Sequence, residues 1–86
     1  MKTFRFWWDE ENIEHIANHG VEPAEAEAAI ENASLLRKVG RGKLIAYGKT
    51  DSGRLLIVIY APKDKGRIRI VTARDMTPNE KHQFRF

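Results

Sequence analysis

The chain lacks cysteine and any long apolar run, and these two absences exclude whole classes of protein. Without cysteine among its 86 residues there is no disulfide, no thiolate nucleophile and no sulfur-ligated zinc site. Its apolar runs fall far short of the roughly 20 residues that a membrane-spanning helix needs. Acidic residues also end the N-terminal aromatic run before it resembles a signal peptide. We therefore expect a cytoplasmic protein with a single domain over residues 1–86 and no association with a membrane.

Lysine and arginine are missing from one long stretch near the start of the chain. Between Asp9 and Ala33 there are eight acidic residues and neither lysine nor arginine. Between Ser34 and Arg74 the sign reverses, with eleven basic residues against two acidic ones, a formal excess of +9. This asymmetry favours a polyanionic partner, most often nucleic acid, for the basic part. Two solvated faces of an ordinary domain would give the same pattern.

Cap and turn signals divide the chain into a strand, two helices, a run of strands and a last helix. A short aromatic strand is predicted at Thr3–Trp8, after which Asp9 offers the N-cap of a helix and Pro23 opens a second one. Further on, apolar strands alternate with turn residues, and Thr77–Glu80 form a capping box for the last, short helix. The order predicts an α+β fold in which acidic helices cover one side of a curved sheet of three or four antiparallel strands, and the other side is basic.

Particular residue strings accompany this order of elements. They are Trp8-Asp9-Glu10 followed by Asn12, then His19-Gly20-Val21, Glu25-Ala26, Gly53-Arg54-Leu55-Leu56, and Arg67-Ile68-Arg69-Ile70-Val71-Thr72-Ala73-Arg74 continued by Thr77 and Glu80. In order and spacing they resemble the BrnT family of bacterial toxins, which have the fold of RelE-type ribonucleases. Two positions depart from the family pattern, because Asn18 stands where lysine is usual and Phe84 stands where tyrosine is common.

The resemblance implies an endoribonuclease that needs neither a metal nor a cofactor and that arrests translation by cleaving RNA. It also implies a cognate antitoxin with a ribbon-helix-helix domain, which neutralises the toxin and represses the operon. A homodimer and a toxin–antitoxin heterotetramer are both compatible with this. Two alternatives stay open, namely a non-catalytic module that binds RNA and a module that mainly binds the antitoxin.

Metal-free cleavage of RNA uses the substrate 2′-hydroxyl as the nucleophile, so the protein must supply a base, a proton donor and cations at the phosphate. The arginine-rich last strand is the natural place for the cations. If Ile68 and Ile70 face the core, Arg67 and Arg69 project from the opposite face. Arginines on an exposed face also serve solubility alone. The resemblance favours Arg69 as a catalytic residue and Arg67 as an RNA contact.

Arg74 ends the same strand and is a second catalytic candidate, although an ion pair with Asp75 that holds the last helix fits equally well.

His15 and His19 are four residues apart on the first helix, and imidazole is suited to proton transfer near neutral pH. His19 is the candidate for this role, and a histidine at a helix C-terminus is also favourable without any function. No convincing third metal ligand accompanies the pair. Two further basic residues complete the predicted RNA-binding set, Arg54 and Lys81.

Overall fold

A five-stranded mixed sheet and three helices make up the computed structural model, which describes residues 5–86. In chain order the elements are β1 (Arg5–Trp7), α1 (Glu10–Ala17), α2 (Pro23–Glu31), β2 (Leu35–Lys38), β3 (Leu44–Lys49), β4 (Leu55–Pro62), a short 3₁₀ turn (Asp64–Gly66), β5 (Arg67–Asp75) and α3 (Pro78–Gln83). The α+β class and the order of elements are confirmed. Thr3 and Phe4 of the predicted first strand lie outside the described residues.

The strands lie in the order β1-β5-β4-β3-β2. From β2 to β5 they form an antiparallel meander, as predicted, whereas β1 pairs with β5 in parallel and closes one edge. The sheet is therefore mixed rather than purely antiparallel. The prediction missed this because β1 contributes only 3 residues, Arg5–Trp7, and a strand so short carries no signal for its distant partner.

A reciprocal hydrogen-bonded box joins the end of β1 to the start of α1. Asp9 is the N-cap, and its Oδ1 accepts from the backbone N–H of Asn12 at 3.0 Å while the Asn12 Oδ1 accepts from the Asp9 N–H at 2.8 Å. The Asn12 side chain is buried, and its Nδ2 donates to the Trp7 carbonyl at 2.8 Å. Capping by Asp9 thus agrees with the sequence and also fixes where β1 ends.

Helices α1 and α2 cover one face of the sheet. The core between them includes the fully buried side chains Ile16, Val21, Leu56, Val58 and Ile70. Helix α2 approaches β3 so closely that a Cβ on Gly48 would lie 1.9 Å from the carbonyl oxygen of Ala29. Glycine and alanine at this crossing therefore set the depth at which α2 docks.

The opposite face has two parts. One part is apolar, with Tyr47, Ile57 and Met76 buried beneath the chain that follows α3. There the centre of the Phe84 ring lies 4.5 Å from the centre of the Tyr47 ring. The other part, along β5 and β1, carries arginines. The prediction of a basic second face is thus correct for only part of it, since α3 needs an apolar surface on which to pack.

Candidate functional site

The arginine-bearing part of the open face lies where β1 pairs with β5. Register places Arg5 opposite Arg67 and Trp7 opposite Arg69. Ile68 is buried and Ile70 is fully buried, so Arg67 and Arg69 project from the other face, as the alternation predicted. Their guanidinium carbons lie 5.0 Å and 5.4 Å from the centre of the Trp7 ring, within the range of cation–π contacts.

A first cleft of about 570 Å³ lies at this corner and is lined by Trp7, Asp9, Lys63, Asp64, Arg67 and Arg69. A second cleft of about 350 Å³ lies between α1 and β5, and Arg69 lines it together with Glu11, Asn12, His15, Ile70, Val71 and Thr72. Arg69 therefore separates two neighbouring clefts. One contains an aromatic ring with lysine and arginine, and the other contains an imidazole.

Arg69 is paired with two carboxylates of the α1 region. Its Nη1 lies 2.5 Å from Oδ2 of Asp9, and its Nη2 lies 3.1 Å from Oε1 of Glu11. The hydrogen bond to Asp9 raises the pKa of Arg69, and the same bond is the main cause that lowers the pKa of Asp9. Two carboxylates thus compensate the charge of Arg69 and hold its guanidinium between the clefts.

His15 and His19 form the imidazole pair of α1. Their ring centres lie 5.8 Å apart in an edge-on arrangement, and both residues are exposed. Within the described residues, His15 lines the second cleft with Arg69, whereas His19 lines neither cleft. The sequence singled out His19, and the structure brings its neighbour closer to Arg69.

Arg74 forms the ionic latch of the last helix. Its Nη1 and Nη2 each donate to a carboxylate oxygen of Glu80 at 2.8 Å, and Nη1 also donates to the Asp75 carbonyl at 3.1 Å. The pair with Arg74 lowers the pKa of Glu80 to about 2. The idea of a latch is right, but its partner is Glu80 rather than the Asp75 carboxylate, because Glu80 at the third position of α3 reaches back over the strand end.

Arg54 joins three segments of the chain. Its Nε and Nη2 donate to the Asp75 carboxylate at 2.7 Å and 2.9 Å, while Nη1 donates to the Gly20 carbonyl at 2.8 Å and to Glu25 at 3.1 Å. The bond to Asp75 is the largest cause that raises the pKa of Arg54. This arrangement places Arg54 in an ion-pair network rather than on a free basic surface.

The six predicted site residues are divided between the two ends of β5. Arg67 and Arg69 lie at its start. Arg74 lies near its end, and Arg54 binds the adjacent Asp75. Lys81 is exposed on α3 and contributes, after Arg54, to the lowered pKa of Asp75. His19 precedes Gly20, whose carbonyl Arg54 binds, so it belongs to this second group. At about 3.3 Å per residue the two groups are on the order of 20 Å apart.

The sequence analysis did not predict several roles that the structure shows, among them those of Trp7, of Asp9 as an ionic partner, of Glu11 and of Glu80. The pairing of Glu80 had a usable signal, because a capping-box glutamate also lies near the preceding strand end. The others depend on β1 pairing with β5.

Across residues 5–86 no group of three or more histidine, aspartate or glutamate side chains is placed to hold a metal ion. No helix in this range is long and apolar enough to cross a membrane.

The arrangement of these elements is similar to that of a bacterial toxin. The 1.1 Å crystal structure of the Brucella abortus ribonuclease toxin BrnT matches with a TM-score of 0.73 and 21% identity, over 87% of this chain and 99% of that one. At this identity the likeness shows the fold alone. The family model described as "Ribonuclease toxin, BrnT, of type II toxin-antitoxin system" matches residues 7–80. The chain belongs to the BrnT family, as its residue strings indicated. No curated protein matches it.

Proposed function

We propose that this protein is a metal-independent endoribonuclease that cleaves RNA at the Arg69 end of β5 and thereby arrests translation. Membership of a family of ribonuclease toxins supplies the reaction class. The observation that carries the location is that one arginine, Arg69, lines two adjoining clefts, one with basic residues and one with an imidazole. Cations and a proton-transfer group are what cleavage through the 2′-hydroxyl requires.

Three residues of the second cleft have a role in this proposal. Arg69 stabilises the negative charge that develops on the phosphorane oxygens, a contribution of about 10²–10³ in rate for one such donor. His15 takes the proton from the 2′-hydroxyl, since it lines the cleft with Arg69. The 2′-oxygen then bonds to phosphorus, the bond from phosphorus to the 5′-oxygen breaks, and the leaving 5′-oxygen takes a proton from water. Glu11, whose carboxylate binds Arg69 at 3.1 Å, gives up that guanidinium when phosphate enters. The side chain of Glu11 is 86% exposed, so water readily replaces the lost ion pair.

The other end of β5 is the competing location. There Arg74 and His19 would supply the cation and the imidazole, with Arg54 and Lys81 nearby. Both arginines of this group, Arg54 and Arg74, already form ion pairs with two bonds to one carboxylate. Releasing Arg74 would loosen the attachment of α3, and releasing Arg54 would loosen that of α2. Phosphate binding at this end therefore destabilises the fold more than phosphate binding at Arg69 does.

Cleavage of a long structured transcript in EDTA tests the reaction and its location together. The purified chain is compared with Arg69→Ala, Arg74→Ala, His15→Ala and His19→Ala, and fragments are resolved at single-nucleotide resolution. We expect defined cuts by the unchanged chain that survive EDTA and fall at least 100-fold in Arg69→Ala and His15→Ala. His19→Ala serves as the matched control for His15→Ala, because both change an exposed histidine of the same helix region.

Three results would count against the proposal. Cuts that disappear in EDTA would remove metal independence. Cuts lost in Arg74→Ala and His19→Ala but kept in Arg69→Ala and His15→Ala would move the reaction to the other end of β5. Intact RNA under all conditions, with cleavage absent also in a translating extract, would remove the nuclease activity.

A non-catalytic RNA-binding module is the second candidate, and one observation favours it. Both arginines predicted to be catalytic are paired with carboxylates, Arg69 with Asp9 and Glu11 and Arg74 with Glu80. A protein that only binds RNA would use its remaining cations and leave these pairs intact. Such a module would bind RNA with a logarithmic salt slope of about −0.7 per phosphate contact and give no product in the cleavage experiment.

The family implies an antitoxin as partner. We propose that this antitoxin has a ribbon-helix-helix domain and that an acidic segment of it covers the basic part of the open face. The experiment below also tests the alternative that the protein is a module that mainly binds the antitoxin. Co-expression with the neighbouring gene, followed by light scattering of the purified complex, should give a heterotetramer that no longer cleaves RNA. A purified homodimer that does not bind the protein encoded by the neighbouring gene would contradict this part of the proposal.

A further inference from the structure

Two adjacent tryptophans of this chain have different environments. Trp8 packs against the main core, and its Nε1 donates to Oε2 of Glu27 at 2.7 Å. Trp7 lies on the open face with 38% of its surface exposed. Folding accounts for Trp8, since its ring is packed and its N–H is bonded. The exposed surface of the Trp7 ring is not packed in the core, so it is available to a ligand.

The backbone of Trp7 is held on two sides. Its residue pairs with Arg69 across the parallel strands, and its carbonyl accepts from Nδ2 of the buried Asn12 at 2.8 Å. Because the backbone is fixed in this way, only the side-chain torsions of Trp7 remain to be ordered when something stacks on its ring. Preorganisation of this kind is what makes an aromatic side chain an effective platform for binding.

The cations around Trp7 are not equivalent. Arg69 is held by Asp9 and Glu11. Arg67 donates one long hydrogen bond, 3.4 Å to the Asp64 carbonyl, and within the described residues it forms no ion pair with a carboxylate. The guanidinium of Arg67 therefore keeps its charge and most of its donors for a ligand.

The cleft that contains Trp7 suits an anion with a flat apolar part. Its volume of about 570 Å³ falls in the usual range of small-ligand sites. Apart from the Trp7 ring, every lining residue is charged, with Lys63, Arg67 and Arg69 against Asp9 and Asp64. Asp9 is already paired with Arg69, so the two cations Lys63 and Arg67 outweigh the one remaining carboxylate, Asp64, in the field that a ligand meets.

We infer that Trp7 is a stacking platform for one nucleobase of single-stranded RNA, whose adjoining phosphates bind to Arg67 and Lys63. This inference deepens the proposed function and rests on it, since it takes RNA as the ligand. Arg67 now lies over the ring and is weakly held, so it can move to a phosphate when a base takes its place. A protein partner that used Trp7 as an anchor would need an apolar surround, which this cleft lacks.

Stacking on Trp7 has consequences for selectivity. A base must be unpaired to lie flat on the ring, so single strands bind and duplexes do not. Every base has a π face, so binding tolerates sequence. Arg67 and Lys63 carry the salt dependence, and Trp7 carries a component that salt leaves unchanged.

The test uses a fluorescein-labelled 2′-O-methyl RNA decamer, which lacks the nucleophilic hydroxyl and cannot be cleaved. Its binding is compared with that of an abasic decamer of the same backbone, for the unchanged chain, Trp7→Ala, Trp7→Phe, Arg67→Ala and Leu36→Ala. Leu36 is the matched control, because it is another large apolar residue, 50% exposed, on the strand at the far edge of the sheet. Circular dichroism verifies that each variant is folded.

We expect Trp7→Ala to weaken binding of the normal decamer by about 5- to 140-fold, the range that loss of one stacked base gives. Trp7→Phe should retain most of the affinity, and Leu36→Ala all of it. The abasic decamer should bind the unchanged chain and Trp7→Ala equally. Arg67→Ala should weaken both decamers and lower the salt slope by about 0.7. Tryptophan fluorescence should be quenched by the normal decamer in the unchanged chain and not in Trp7→Phe.

Equal affinity of Trp7→Ala and the unchanged chain for the normal decamer would overturn the inference. An equal loss for the normal and abasic decamers would overturn it too, since Trp7 would then act without stacking. If no decamer binds, the inference fails while the cleavage experiment still judges the nuclease. If the decamers behave as expected and RNA is never cleaved, the platform stands and the nuclease fails.

Discussion

Arg69 donates a hydrogen bond from Nη1 to Oδ2 of Asp9 at 2.5 Å, and Asp9 is at the same time the residue that caps α1. One carboxylate therefore begins the first helix and compensates the arginine on which the proposed reaction depends. The two functions use different oxygens, Oδ1 for the cap and Oδ2 for the ion pair. They can be separated by substitution.

Asp9→Asn should keep the cap and release Arg69, because an asparagine side chain still accepts from the Asn12 N–H. We expect affinity for 2′-O-methyl RNA to rise at low salt, since the face gains one positive charge. Asp9→Ala should give the same gain in affinity with a larger fall in melting temperature, because it also loses the cap. Anisotropy titration and thermal unfolding provide the two measurements. Equal melting temperatures for the two variants would show that the cap does not stabilise α1.

The latch between Arg74 and Glu80 should make stability depend on pH in the acid range. The pKa of Glu80 in the folded protein is about 2, below its ordinary value of 4.5. Its stabilising contribution is therefore complete above about pH 4.5 and is lost as the pH falls towards 2. Because the pair is partly exposed, we expect a contribution of about 1 kcal/mol.

Urea unfolding of the unchanged chain and of Glu80→Gln at pH 7 and at pH 2.5 measures this contribution. The two proteins should differ at pH 7, and most of the difference should be lost at pH 2.5. A difference that stays constant with pH would mean that Glu80 acts through packing rather than through its charge.

The residues also show which features of this protein can be derived from the sequence. The caps Asp9 and Thr77 can be predicted from the sequence because each one bonds the backbone of a residue only three positions away. The alternation of Ile68 and Ile70 fixed the face of Arg67 and Arg69. Neither signal extends to distant pairs. Arg69 and Asp9 are 60 residues apart, and they meet only because β1 lies beside β5. Pairing of that kind is decided by packing of the whole sheet, which no local pattern encodes.

Gly48 should be intolerant of any side chain. A Cβ at this position would lie 1.9 Å from the Ala29 carbonyl oxygen, and a backbone atom of a helix cannot yield as a side chain can. We expect Gly48→Ala to lower the free energy of unfolding by about 1–3 kcal/mol, as overpacking of a core does. Lys49→Ala, on the exposed neighbouring residue, should change it by less than about 0.5 kcal/mol. Urea titration of both variants makes the comparison, and a stable Gly48→Ala would show that α2 can move away from β3.

Arg54 distinguishes a structural arginine from an RNA-binding one. It was predicted to bind RNA, and the structure gives it bonds to Gly20, Glu25 and Asp75. Arg54→Ala would leave two carboxylates without their cation, so we expect a loss of about 1–3 kcal/mol in the free energy of unfolding. Its affinity for 2′-O-methyl RNA, measured well below the melting temperature, should stay within about twofold of the unchanged chain.

Arg67→Ala is the counterpart of Arg54→Ala. Among the described residues the Arg67 guanidinium forms one hydrogen bond, to the Asp64 carbonyl, and one cation–π contact, with the Trp7 ring, but no ion pair. Arg67→Ala should lose affinity for RNA and keep its stability. Urea unfolding and anisotropy titration are measured on both variants. If Arg54 stabilises the fold and Arg67 binds RNA, Arg54→Ala loses stability and keeps its affinity, whereas Arg67→Ala loses affinity and keeps its stability. A loss of affinity in Arg54→Ala equal to that in Arg67→Ala, with the fold intact, would return Arg54 to the RNA-binding surface and extend that surface along the whole of β5.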